Sequence, residues 1–219
     1  MADRWITFDC YGTLIDWHSG IRAGLQAAGA GLTADLVEQM AADYERLEQD
    51  LERGAYRPYR DIQQEVLSRL FSRHGLHPPE NPHALTEGLP SWPPYPEVPE
   101  VLRHLARSGF QLGILSNIDR DLIQGSLRQL PVSFGVVVTA EDVASYKPAA
   151  AHWSRFLDQT GTTAGEVIHV AQGLRYDMAA AIALGFRTVW VNRLGEDPGG
   201  VRPDHVIPDL SGLPSLLTP

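Results

Sequence analysis

Residues 4–14 read Arg4-Trp5-Ile6-Thr7-Phe8-Asp9-Cys10-Tyr11-Gly12-Thr13-Leu14, and the fold is decided there. The first six, RWITFD, are short, β-branched and aromatic, as expected of a buried strand. The CYGTL that follows holds a glycine suited to a tight turn, so the strand runs into a loop with Asp9 at its carboxyl end. Further along, strands and helices alternate: helix over 98–108, strand over 110–116 (FQLGILS), helix over 120–129, strand over 132–138 (VSFGVVV), helix over 149–159, strand over 166–171 (EVIHVA), helix over 175–184 and strand over 187–192 (RTVWVN). That alternation predicts an α/β fold, a Rossmann-like parallel sheet with helices on both faces. The tail carrying Asp204, His205 and Asp209 reads as a closing strand and short helix, not as a metal cluster.

Between the first strand and this repeat lies a block of different texture. Leu36, Met40, Tyr44, Leu47 and Leu51 recur at helical steps, with Asp35, Glu38, Asp43, Glu45, Glu48, Asp50 and Glu52 on the remaining faces, and the pattern stops near Gly54. A second stripe, Tyr59, Ile62, Val66, Leu67, Leu70 and Phe71, follows Pro58, a residue suited to a first helical turn. Eight of the 16 prolines then fall between Pro78 and Pro99, which predicts an irregular return linker. The expected organisation is a core of residues 1–16 and 93–219, with an all-helical cap of residues 17–92 inserted after the first strand. The length of 219 residues suits one domain with such an insertion.

Composition narrows the function classes. With 18 basic and 27 acidic residues the net charge is −9, so nucleic acid is not an expected partner. No apolar run approaches the roughly 20 residues that span a bilayer, and the start MADRWITFDCYGTL does not read as a secretory leader, so a cytoplasmic location without membrane association is expected. Cys10 is the single cysteine, which excludes an internal disulfide and a multi-cysteine zinc site and fits a reducing compartment. Of the basic residues 17 are arginines and one is Lys147. Exposed apolar cap positions would permit a homodimer.

In an open parallel sheet, ligands bind beyond the carboxyl ends of the strands. Four groups fall there: Asp9; Ser116 with Asn117; Lys147, reached through the loop TAEDVASYKP; and Asp177. A carboxylate on such a loop beside a lysine attacks an electrophilic carbon or phosphorus to give an acyl-type intermediate that water cleaves, which makes Asp9 the candidate nucleophile. Thr13 can donate its hydroxyl to Asp9 or to substrate, and Lys147, a compact ammonium with three donors, can neutralise an attacking carboxylate and a substrate anion together. Ser116 and Asn117 offer donors for an oxygen of the substrate.

The stretch 8–14, with LSN at 115–117, Ser145-Tyr146-Lys147-Pro148 and VAQGLRYD at 170–177, resembles the four ordered motifs of the haloacid dehalogenase superfamily. The resemblance runs over essentially the whole chain. It implies a covalent role for Asp9 and makes the helical insertion a small cap domain. Within the superfamily, magnesium-dependent phosphatases carry two acids in the fourth motif and a general acid two residues after the nucleophile. Here Gln172 and Tyr11 stand at the first acid and at the general acid. An alkoxide leaves poorly without a proton, whereas halide needs neither proton nor metal, so Tyr11 and Gln172 point to the branch that attacks carbon.

The resemblance therefore implies a hydrolase acting on a small anionic 2-haloacid without a required cofactor, Asp177 positioning Lys147 or water. Mg²⁺, if used by a phosphatase acting on a small phosphate ester, would take Asp9 and Asp177. A catalytically silent member that binds a metabolite or partner is a further alternative. Departures from the dehalogenase pattern are Gln172 and Leu174 in place of small polar residues, and Met40 where a cap arginine is expected. Arg57, in YRPYR, either presents its cation to the crevice or lies on a solvated surface. Trp153 either walls the pocket or belongs to the core.

Overall fold

The computed structural model describes residues 4–217; the ends 1–3 and 218–219, assigned above to the core, lie outside the described residues. In chain order the elements are β1 (Arg4–Phe8), α1 (Trp17–Ala28), α2 (Ala34–Glu52), α3 (Tyr59–Arg73), α4 (Ala84–Gly88), α5 (Val98–Arg107), β2 (Phe110–Ser116), α6 (Ile123–Leu127), β3 (Val136–Thr139), α7 (Ala140–Val143), α8 (Ala151–Thr160), β4 (Val167–Ala171), α9 (Ala179–Ala183), β5 (Arg187–Val191), β6 (His205–Ile207) and α10 (Leu213–Leu217). The strands form one parallel sheet in the order β3-β2-β1-β4-β5-β6. β1 sits inside the sheet between β2 and β4, so the crevice past its carboxyl end is flanked by the ends of both neighbours.

Alternation along the strands sends side chains to two apolar layers. Ile6, Phe8, Leu112 and Ile114 face a large cluster that continues into the helices between β1 and β2, while Trp5, Leu115 and Val138 face a second with Trp153 and Phe156 of α8. Both faces of the sheet are thus covered, as a parallel sheet requires.

Two expected elements come out shorter. The strand expected over 132–138 begins only at Val136, because Pro131 and Gly135 interrupt the run, and the helix expected over 120–129 is regular only over 123–127. The helix expected over 175–184 opens instead with a π-helical turn, Leu174–Met178, before α9. In the proline-rich return, α4 and one 3₁₀ turn form, the rest being irregular as expected.

Two chain crossings join the helical block to the sheet, and they are zipped together. Asp16 donates its N–H to the Pro93 carbonyl at 2.8 Å, and Tyr95 donates to the Leu14 carbonyl at 3.0 Å. We propose that cap and core divide at these crossings, at 16/17 and 92/93. A second tie comes from the core itself: α3 lacks a side-chain cap of its own, and Asp119, past β2, accepts the N–H groups of Tyr59 and Arg60 at 2.7 and 3.1 Å. A carboxylate at a helix N-terminus satisfies orphan donors and meets the positive end of the dipole, so this contact holds the cap over the crevice.

Candidate active site

β1 delivers Asp9 to the cavity because its four preceding residues are buried on both sheet faces, and the Asp9 N–H still pairs with the Val170 carbonyl of β4 at 3.1 Å. The chain then turns at Gly12, whose φ of +88° suits glycine and whose missing side chain leaves room for Gln172. That turn brings Thr13 back, and its hydroxyl donates to Asp9 Oδ2 at 2.9 Å while accepting the N–H of Gln172 at 2.9 Å.

Lys147 reaches the same carboxylate from the loop after α7. Its Nζ donates to Asp9 Oδ1 at 2.8 Å, to Asp177 Oδ1 at 2.7 Å and to the Leu115 carbonyl at 3.0 Å, so its three N–H donors are all used within the protein. Asn117 fixes the lysine backbone: its Oδ1 accepts the Lys147 N–H at 2.8 Å and its Nδ2 donates to the Lys147 carbonyl at 3.3 Å. Behind Lys147, Asp177 is fully buried and also faces His169, whose Nε2 lies 3.1 Å from the same Oδ1 and whose Nδ1 lies 3.0 Å from the Thr7 hydroxyl. The His169 ring thus bridges the two side chains, one nitrogen against Asp177 and the other against Thr7.

Electrostatics follow from that layout. Burial raises the Asp9 carboxyl above its ordinary value, Lys147 pulls it down, and the charge on Asp177 pushes it up again. Burial works against the Lys147 ammonium, but the two carboxylates hold it above its usual range. Asp177 ends below the usual carboxylate range, because Lys147 and His169 outweigh its burial. The outcome is a charged lysine between two carboxylates, with Asp9 the more basic of the pair.

A cavity of about 60 Å³ opens onto Asp9, and Tyr11, Ser116, Asn117, Lys147 and Gln172 line it. Tyr11 contributes no free hydroxyl, since it is bonded to Ser126 at 2.9 Å and its ring meets Trp92 edge-on. Trp17, His18, Glu45, Glu48, Gln49, Glu52, Tyr59 and Tyr176 complete the wall, and sequence reasoning missed all of them. The sequence puts the three glutamates on the faces of α2 that its apolar stripe leaves over. Their spacing of three and then four residues is itself a helical stripe, the one signal that marked them out.

Three expectations are corrected. Arg57 does not line the cavity, because its guanidinium is drawn along α3 to Glu65 at 2.6 Å. Trp153 is fully buried in the apolar cluster under α8 and belongs to the core. Asp177 does not line the cavity either, and it reaches the site through its contact with Lys147. The last point also bears on Mg²⁺. With Lys147 lying between Asp9 and Asp177, and Oδ1 of Asp177 shared by Lys147 and His169, that pair does not fit a divalent ion. At the position of the expected cap arginine, Met40 is packed in the core.

The family model for haloacid dehalogenase-like hydrolase matches residues 4–185. Among curated relatives, "(S)-2-haloacid dehalogenase 4A" of Burkholderia cepacia is 29% identical over 204 residues, covering 89% of this chain and 85% of its own length. Among solved structures, the L-2-haloacid dehalogenase RSc1362 superposes with a TM-score of 0.86 at 26% identity, covering 100% of both chains. A hydrolase of Bacillus subtilis bound to magnesium, YfnB, superposes with the same TM-score of 0.86 at 18% identity and 100% coverage of both. At that identity the likeness speaks for the fold alone, so the choice between chemistries falls to the side chains around Asp9.

Proposed function

As the chain belongs to the haloacid dehalogenase-like hydrolase family, we propose that it hydrolyses a small 2-haloacid through a covalent ester on Asp9, in the cytoplasm and without a cofactor. The observation that carries this reading is the placement of Lys147. Its ammonium holds Asp9 ionised at the cavity wall and is anchored behind by Asp177. The relatives named as (S)-2-haloacid dehalogenases support the substrate class.

In the first step a carboxylate oxygen of Asp9 attacks the halogen-bearing carbon. A carbon–oxygen bond forms as the carbon–halogen bond breaks, and halide leaves with the electron pair. In the second step water adds to the ester carbonyl of Asp9, the ester carbon–oxygen bond breaks, and the 2-hydroxyacid leaves with one proton released to solvent. Asp9 is then regenerated. Thr13 and Lys147 each hold one carboxylate oxygen of Asp9 in the resting site, which fixes the direction of attack and lowers the orientational cost of reaction. Burial raises the basicity of Asp9 and with it its nucleophilicity, while Lys147, in direct contact, favours its charged form.

The test is halide release from a panel of 2-haloacids with EDTA present and Asp9→Asn as the blank. Release that needs Asp9 and survives the chelator supports the reading; hydrolysis only of phosphate esters, lost with EDTA, would replace it by phosphatase chemistry.

A further inference from the structure

Past its first turn, the acids of α2 fall into two groups. Glu38 pairs with Arg22, Asp43 with Arg73, and Asp50 with Arg53, as expected of a solvated helix face. Glu45, Glu48 and Glu52 face the cavity that holds Asp9, and their side-chain partners are neutral: Gln49 for Glu45, Tyr44, Tyr59 and Gln63 for Glu48, and Asn117 for Glu52. The cavity thus sets four carboxylates against one lysine, and the donors of that lysine are already used.

A second observation lies on the opposite wall. Ser116 is 1% exposed and lines the cavity, and among the described residues its hydroxyl has no hydrogen-bond partner. A buried hydroxyl left open toward a cavity is a donor held for a ligand oxygen. The glutamates are not a metal site, since among the described residues no three His, Cys, Asp or Glu side chains are grouped to hold an ion. Separate acceptors spread along a wall suit an ammonium, which carries three divergent donors.

Resting on the Asp9 reading above, we infer that the substrate is a 2-haloacid whose side arm ends in a protonated amine, with Glu45, Glu48 and Glu52 meeting the ammonium and Ser116 the acid group. Glu52 stands where this cavity meets a neighbouring one of about 420 Å³, the two sharing Gln49, Glu52, Lys147 and Tyr176. Burial raises Glu48 to about 6, against its three hydrogen bonds, and burial with the charge of Glu48 raises Glu52 well above its ordinary value. An entering cation relieves that repulsion and draws both groups into their charged form.

The experiment is equilibrium binding of 4-aminobutyrate and of butyrate to the whole chain, by calorimetry. The amine is expected to bind about tenfold more tightly near neutral pH, the scale of one charge-assisted hydrogen bond. That advantage shrinks as pH falls through about 6, where Glu48 takes up its proton. Glu48→Gln and Glu52→Gln should each remove most of it, and Glu45→Gln, at the exposed end of the wall, serves if either of these fails to fold. Butyrate binding as tightly as the amine, or an advantage that these variants leave intact, overturns the inference. Chloride release from 2-chlorobutyrate and 4-amino-2-chlorobutyrate is read separately. Release from neither, with the binding preference present, overturns the dehalogenation reading and leaves the amine site standing; release from 2-chlorobutyrate alone overturns the amine site.

Discussion

On the core side of the cavity both carboxylates are paired with one ammonium, that of Lys147. Asp9, Lys147, Asp177, His169 and Thr7 form one buried chain of contacts in which the lysine has no N–H left over. On the cap side, Glu45, Glu48 and Glu52 meet only neutral donors among the described residues, and no salt bridge among these reaches them. A matched wall fixes a nucleophile, because moving any member leaves a buried charge unpaired. An unmatched wall keeps electrostatic capacity for what enters. On the proposed reading bond making belongs to the core and selection to the cap, and both walls can be broken separately.

The largest effect is expected from Lys147→Ala. It leaves two buried carboxylates uncompensated, which costs about 3–5 kcal/mol of stability, visible as a lower denaturant midpoint. Turnover should fall roughly a thousandfold. Lys147→Arg should restore little of it, since a planar guanidinium cannot donate in the same three directions. Core matching would be refuted by a Lys147→Ala protein as stable as the parent.

Next comes Asp177→Asn, which loosens Lys147 while leaving Asp9 in place. Turnover is expected to drop about a hundredfold with KM little altered, as for loss of an interaction that orients a reacting group. The pH profile carries a sign. Attack needs ionised Asp9, so activity falls as pH drops through its pKa, and burial places that acid limb above the ordinary carboxylate value of 3.8. Removing the charge of Asp177 takes away one raising influence, so the limb should move to lower pH. A raised limb would mean that the variant has lost the contact of Lys147 with Asp9, whose pull is the larger of the two.

A smaller effect on catalysis and a large one on folding is expected from Trp153→Ala: about 3–5 kcal/mol from a fully buried indole, with KM unaltered in the protein that folds. The smallest is Arg57→Ala. Its partner Glu65 is part-exposed, so the loss should stay below about 1 kcal/mol, with halide release and KM as in the parent. A KM rise of an order of magnitude in this variant would return Arg57 to the substrate site.

The core wall was legible in the sequence because its residues sit at strand ends, and strands announce themselves through apolar runs. RWITFD and FQLGILS put Asp9 and Ser116 at the crevice, and the lone lysine beside 17 arginines marks Lys147. His169 escaped notice, since a histidine inside EVIHVA shows nothing of the Asp177 it faces across eight residues of chain. The cap wall was illegible for a different reason. Which face of α2 turns to the cavity depends on how the cap docks, and docking is held by contacts far apart in sequence, such as Asp119 on the start of α3. Arg57 misled because arginine near a crevice is read as a ligand for anions, whereas Glu65, one α3 face along, claims it.

The central claim is that Asp9 itself forms the bond to substrate. A single turnover in heavy-oxygen water, with enzyme in excess over a 2-haloacid that releases halide, tests it directly by mass spectrometry of the peptide containing Asp9 and of the product. Water attacking the ester carbonyl should place the heavy oxygen in the Asp9 carboxylate and leave the first product with an unlabelled hydroxyl. Heavy oxygen in the first product, with none in the Asp9 peptide, would show that water attacks the substrate directly and would contradict the account.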